Sequence, residues 1–522
     1  MSRPLSQHAT SEETLPVGAE GRFSSQSKEE RDTGLYTTDS GSAKKEAPEA
    51  AQDPDLVTWD GPDDPHDPKN WSKSHKWAIT AIVSAFCFIS PVSSSIVAPA
   101  LPAISAEFHV TNEVEQNLMF SIFVLAYAFG PLFLGPLSEE FGRPIVLQLA
   151  NLFYFIFNLV CGFSSNKGEM LAFRFLAGLG GSAPLCIGAG VLSDVWRADE
   201  RGAALSIYSL APLLGPAVGP IAGGWIAQKT TWRWIFWSTS AADALVQGLG
   251  LIFLQETYGP KLLKEKAKKL RKETGNERLK TAFDHPDQRL IAKLRHSTVR
   301  PFILLGTQPM VQVLAFYMAY LYGIMYLVLG SFSALWIAKY HESVGVSGIN
   351  YVSVGLGCFL GAQFAALVTN RIYIRLKAKN NGIGRPEFRL PLMVPGSLLV
   401  PIGLFWYGWS AEATVQWIMP NIGICIYAIG GILGFQCIQV FLVDAYTQYA
   451  ASAIAAAAFL RSLAAFGFPL FAPYMYKAMG DGWANSMLAF IAIAIGLPSP
   501  LLLWKYGPML RERSPYAAGG DR

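Results

Sequence analysis

Twelve separate stretches of about twenty predominantly apolar residues run through this chain, and a helix of that length crosses the roughly 30 Å hydrocarbon core of a bilayer. Lipid offers no water to backbone N–H and C=O groups, so such stretches fold as helices that satisfy their own hydrogen bonds. The expected spans are 77–99, 117–138, 144–163, 169–193, 203–227 and 233–254, then 301–328, 345–370, 390–409, 415–440, 451–475 and 484–505. Only 15% of the 522 residues are charged and 51% are hydrophobic, whereas ordinary globular chains carry about 25% charge. There is too little polar material to clothe a water-soluble body of this size. The fold class expected is therefore an all-α membrane protein, with twelve transmembrane helices in two six-helix, pseudo-symmetric bundles.

The charges are clustered, and the clusters divide the chain. A polar tail over 1–76 is expected to be disordered, its composition most plainly so over residues 1–50. Bundles follow over 77–254 and 301–505, joined by a charged linker over 255–300, and a short tail covers 506–522. Thirteen Lys and Arg lie between Lys261 and Arg300. With Lys69, Lys73 and Lys76 before span 1 and Arg143, Arg197, Arg201, Arg371, Arg375 and Arg389 in later even-numbered loops, the basic bias places both termini in the cytoplasm of a multi-pass cell-membrane protein. The linker stretch "LLKEKAKKLRKETGNERL" reads as a helix on the inner membrane surface, where basic residues meet anionic lipid. All six cysteines fall in apolar runs, and neither Cys nor His shows metal-ligand spacing, so no metal site is expected. There is no GxxxxGK[ST] loop to hold ATP, no enzyme constellation, and no cofactor or nucleic-acid partner is implied.

Three stretches carry the functional reading. In "GPAVGPIAGG", Gly215, Gly219 and Gly223 recur every four residues, as do Pro216 and Pro220. A glycine stripe lets another backbone approach closely in lipid, and each proline removes a backbone donor. The fifth helix should be notched, bendable and pressed against protein at the seam between the halves. In "GPLSEEFGRPIVL", Gly135, Glu139, Gly142 and Arg143 form a short basic-side loop. Glu139 is expected to pair with Arg143 or with the start of span 3, and Asp194 and Arg201 to join the same gate. In "RFLAGLGGS", Arg174 is a charge inside an apolar span, a functional candidate by default.

These three stretches, in this order, resemble the signatures of the major facilitator superfamily: its loop between spans 2 and 3, its fourth helix, and the fifth helix of its antiporters. "NWSKSHKW", "LSDVWRADERGAALSIYSL", "TWRWIFW", "LQETYGP" and "DAYTQYAASAIAAAAFLRSLAAFGFPLFAP" are similar to stretches of its fungal drug:proton antiporters, and the resemblance covers 59–516. Glu139-Glu140 stand where the family usually has Asp-Arg. The resemblance implies alternating access with proton exchange, in a chain working as a monomer amid membrane lipid. Candidates for proton coupling are Arg174, Asp243 in the middle of span 6, Asp444 at the end of span 10, and Arg461 in span 11.

The family fold sets spans 1, 4, 7 and 10 around the cavity. Ser93, Ser94 and Ser95, Gln308, Gln312, Tyr317, Tyr320 and Tyr326, and Gln436 and Gln439 are then the groups a cargo would meet. Aromatic walls with a few amides and hydroxyls suit amphipathic or planar organic molecules. The function expected is export of small hydrophobic or cationic organic compounds (a drug, toxin, secondary metabolite or polyamine) by proton antiport. The alternatives are a proton-coupled nutrient importer and a receptor on the same fold.

Overall fold

The structure is a computed structural model that describes residues 55–197, 200–283 and 290–517. Of the tail expected to be disordered, residues 1–54 lie outside the described residues, as do 518–522 of the C-terminal tail, while 55–76 form the ordered elements given below. Among the described residues, eleven continuous helical stretches are long and apolar enough to cross a membrane. The last, Thr447–Glu512, is long enough for two passes, at 66 residues. Gly480 breaks it, with φ 69° and ψ 173°, in a backbone region open to glycine. The chain therefore makes twelve passes, and the all-α fold expected from the apolar runs is the one observed.

Span 1 is Lys73–Ser95, span 2 Glu113–Phe141 and span 3 Arg143–Cys161. Span 4 joins Lys167–Gly181 to Ala183–Val195, span 5 is Arg201–Lys229 and span 6 Arg233–Phe253. In the second half, span 7 is Pro309–Lys339, span 8 Val352–Lys379, span 9 Met393–Glu412 and span 10 Ile418–Ala445. Spans 11 and 12 lie on either side of Gly480. Span 2 shows why such helices begin where they do: Asn112 accepts from the Val114 N–H at 2.9 Å, and Glu113 and Glu115 stand in its first turn, where the helix dipole favours negative charge.

Span 7 departs from the sequence reading. It begins eight residues later than expected, because Gln308 is extended (φ −106°, ψ 105°) and Pro309 opens the new helix without needing an N–H partner. The preceding helix, Leu290–Thr307, belongs to the connection between the halves. That connection also contains the helix Gly259–Thr274. Residues 55–72 are stitched to it: Leu56–Val57 pair in parallel with Lys280–Thr281, and Lys266 reaches Asp60 at 2.7 Å and Asp64 at 3.6 Å. The face bearing these elements is termed the linker side below.

The halves meet along their inner spans. Span 2 touches span 11 through Phe129 and Phe459, whose ring centroids are 5.9 Å apart. Span 1 touches span 7 through Ser94 and Tyr326, 3.0 Å between hydroxyls. Spans 3, 6 and 9 instead present large apolar side chains outward, such as Leu149, Leu251 and Trp406, as lipid-facing helices do.

Candidate functional site

On the linker side, the loop between spans 2 and 3 is held by three elements. Arg143 opens span 3, and its Nε lies 3.2 Å from the Asp194 carboxylate at the end of span 4. Its Nη1 donates to Ser138 Oγ at 2.8 Å, and its guanidinium sits 4.9 Å from the Tyr258 ring. Gly142 turns the chain with φ 101°, where a side chain is strained. A Cβ there would also lie 2.6 Å from Lys261 Nζ and against the Glu256 carboxylate.

Glu256, just past span 6, is the residue the sequence reading missed. Its Oε1 accepts from the backbone N–H of Arg143, Thr257 and Tyr258, each at 3.1 Å, and its Oε2 pairs with Lys261 at 2.9 Å. It thus caps the N-terminus of span 3, the place considered for Glu139. Glu139 is exposed and, among the described residues, makes neither an ion pair nor a hydrogen bond. Gly135 faces open space, and Arg201 begins span 5 without joining Arg143 and Asp194. The signal for Glu256 was present in "LQETYGP": an acid directly after an apolar span, followed by an aromatic and Gly-Pro. Burial among neighbours raises the Tyr258 hydroxyl above its ordinary pKa, and the nearby Glu139 carboxylate adds to the rise.

The glycine stripe meets span 1. A Cβ on Gly215 would stand 2.8 Å from Pro91 Cβ, one on Gly219 2.7 Å from the Val92 carbonyl, and one on Gly223 against the Ile96 carbonyl. The contact with the other half lies on an adjoining edge of the same helix. Gly224 faces the Val344 carbonyl, and the Pro220 carbonyl faces Gly348, both at 2.7 Å by the same measure. Ala217 faces Gly355 of span 8. Span 5 therefore lies at the seam as expected, but its 215–219–223 edge faces within its own half. Small residues let the backbones approach this closely at both contacts.

At mid-depth a polar path crosses the bundle. Arg174 is only 1% exposed and donates to the carbonyls of Ser93, Ser94 and Phe120 at 3.2–3.3 Å. Ser93 and Ser94 lie in the last turn of span 1, where helix carbonyls lack partners and the dipole favours a cation. Arg174 does not snorkel; it caps span 1 from span 4. The Ser94 hydroxyl then bonds Tyr326 across the halves. Tyr326 lies 5.1 Å from the Tyr322 ring, and Arg461 of span 11 sits 4.8 Å from Tyr322 and 5.4 Å from Phe435.

The remaining candidates are dispersed. Asp243 is fully buried and accepts twice from Asn151 Nδ2 at 3.1 Å, tying span 6 to span 3. Asp444 pairs with Arg389 at 2.8 Å on the linker side. Gln308, at the start of span 7, accepts from Ser514 at 2.5 Å, and Gln312 donates to the Gly306 carbonyl at 3.1 Å. Both belong to the mouth of the bundle and not its middle, because span 7 starts late. Tyr320 donates to the Leu488 carbonyl and so points into span 12, while Tyr317 bonds Ser397 of span 9 at 3.0 Å. Gln436 and Gln439 are half-buried next to Phe435. None of the four coupling candidates, Arg174, Asp243, Asp444 and Arg461, contacts another.

The profile of the Major Facilitator Superfamily matches residues 83–469. The chain is 51% identical over 471 residues to an efflux pump, vrtL, of Penicillium aethiopicum, covering 90% of this chain and 93% of that one. It is 40% identical to efflux pump radE of Floropilus chiversii (91% and 88% covered) and 39% to MFS-type transporter penM of Penicillium rubens (96% and 97%). Among solved structures, the proton:xylose symporter XylE superposes with a TM-score of 0.60 at 16% identity, over 84% of this chain and 96% of that one.

Proposed function

This chain belongs to the major facilitator superfamily, and on that premise we propose that it exports small organic compounds across the fungal plasma membrane in exchange for protons, by alternating access. The observation that carries the reading is span 5. Its glycines bring backbone close to backbone both on span 1 and on the span 8 side of the other half, and the second of these contacts gives the two halves a close surface of small residues to rock on. The names of the relatives, efflux pumps among them, support the outward direction.

In this reading the linker side is cytoplasmic, as are both termini. Residues 77–254 and 301–505 are the moving halves, and the segment between them lies along the inner membrane surface. The Arg143–Asp194 pair with its Glu256 cap is the cytoplasmic gate, in a region that also carries Gly135, Glu139 and Arg201. Arg174 holds the end of span 1 so that the Ser94–Tyr326 contact registers movement of one half on the other. Asp243 is the proton carrier: its carboxylate is buried, hydrogen-bonded to an amide that can serve either protonation state, and remote from the loop cations. The chain works as a monomer.

The test is flux in proteoliposomes carrying the full chain. An imposed pH gradient should drive uptake of planar aromatic compounds into vesicles of the proper orientation, and Asp243→Asn should abolish the response to the gradient while leaving exchange of unlabelled for labelled compound. Movement that ignores the gradient in the unaltered protein removes the antiport reading.

A further inference from the structure

The two arginines at mid-depth are held in opposite ways. Arg174 is enclosed, and three backbone carbonyls take its Nη protons, while its Nε, like that of Arg461, is buried without a hydrogen-bond partner. Arg461 is half-buried, its guanidinium lies over the faces of Tyr322 and Phe435, and its Nε is buried without a hydrogen-bond partner. Among the described residues it has no ion pair. The acids of the inner spans are committed elsewhere: Asp194 to Arg143 and Asp444 to Arg389, and Asp481 to Lys339 at the far side. The mid-depth carboxylate, Asp243, is bound by Asn151 between spans 3 and 6. An isolated cation inside a membrane protein is costly and is retained where it has work to do.

The surroundings indicate what completes it. Tyr322 and Phe435 come from spans 7 and 10 and Arg461 from span 11, so three helices of the second half converge there. Tyr326, adjacent to Tyr322, bonds Ser94 of the first half, so the group lies where the halves meet. Ring faces hold a guanidinium by its face and leave its N–H edge free. That edge suits a carboxylate or phenolate, which it can bind through charge-assisted hydrogen bonds. The flanking rings suit an aromatic body attached to the anion.

We propose that Arg461 is the anion-recognition point of the cargo site, and that among organic compounds this chain selects planar aromatic molecules carrying one acidic group. The assignment rests on the export reading. It differs from a coupling role for Arg461, because the guanidinium meets cargo directly.

The experiment measures pH-gradient-driven flux in proteoliposomes of the full chain, for a panel of aromatic carboxylic acids beginning with 1-naphthoate. Each acid is matched with its methyl ester and with the corresponding amine. The acids should outpace their esters and amines by about ten- to a hundredfold, the range of a charge-assisted hydrogen bond. Arg461→Gln should bring the acid down to the ester's level and leave the ester unchanged, and Arg461→Lys should retain part of the preference. The acid-to-ester ratio does not depend on how much protein folds. Esters moving as fast as acids, or an acid preference that survives Arg461→Gln, overturns the assignment and leaves the export reading standing. Absence of gradient-driven movement for every member of the panel overturns both.

Discussion

The two halves build the same Arg–Asp pair on the linker side and complete it with opposite charges. In the first half, Arg143 faces Asp194 from the end of span 4, beneath the Tyr258 ring. In the second, Arg389 faces Asp444 from the end of span 10, 4.0 Å from the Tyr373 ring. The third corner differs. After span 6 comes an acid, Glu256, which caps backbone N–H groups of the loop. After span 12 comes a base, Arg511, which pairs with the loop acid Glu387 at 3.2 Å. What recurs is a triangle of an Arg–Asp pair and a third charged group, each third group meeting its own partner, tying a loop to the ends of two helices. The sign of the third corner does not recur, because either sign meets the physical requirement that a half-buried charge be paired. The aromatic corner also has two origins: Tyr258 lies beyond span 6, whereas Tyr373 belongs to span 8 itself.

The glycines of the two loops offer the strongest test of this comparison. Gly142 and Gly382 both have positive φ, at 101° and 79°, but only Gly142 is crowded, since nothing stands within 4 Å of a Cβ on Gly382. Gly142→Val should remove more than nine-tenths of transport, because it displaces Glu256 in addition to straining the backbone by about 1–2 kcal/mol. Gly382→Val carries the backbone strain alone and should keep at least half of the activity. Equal losses in vesicle flux would show that the loops respond to backbone strain and not to the third corner.

The acids come next. Asp194→Asn leaves Arg143 half-buried with Ser138 and the Tyr258 ring, a cost of about 1–3 kcal/mol, and should slow flux roughly tenfold. Asp444→Asn leaves Arg389 its bond to Asn370 at 2.9 Å and a closer ring, and should slow flux about threefold. Exchanging the charges, Arg143→Asp with Asp194→Arg, should recover part of the loss if sign is as interchangeable as the triangles imply. A double variant no better than either single one would break the comparison.

The smallest effect concerns a support that only the first half has. Asp64 accepts from the N–H groups of Asp60 and His66 at 2.9 and 2.8 Å, and these bonds hold its carboxyl down to about 2. A carboxylate with a lowered pKa in the fold adds stability above its unfolded value, near 4, and loses it as pH falls through the folded one. The clamp of residues 55–72 on the linker helix should therefore stay shut from pH 8 to pH 4 and loosen between about pH 4 and pH 2. Hydrogen exchange across 55–72 would register the release, and loosening already at pH 6 would assign the clamp to other groups.

The helices were legible because bilayer thickness and the absence of water are written directly into apolar run length. Span 7 was misplaced for a local reason: residues 301–307 are as apolar as a span, and only the extended Gln308 before Pro309 separates them from it. Glu256 was quoted but given no role. Its partner is a backbone amide 113 residues away, and backbone amides leave no mark in sequence. Asp243 stood out by depth alone, and its amide partner Asn151 was invisible until spans 3 and 6 were packed together.

Run length, loop charge and the three signature stretches determined by themselves that this chain is a twelve-pass membrane protein with a close-packed fifth helix and unusual mid-depth charges. Those properties depend on solvation of the backbone and of ions, which is set residue by residue. Only the tertiary structure decided which backbone the glycine stripe meets, which acid Arg143 keeps, and that carbonyls hold Arg174 while ring faces hold Arg461. Each of these is a contact between segments far apart in the chain, and a hydrogen bond or ion pair exists only once the packing of whole helices has brought its two ends within about 3 Å.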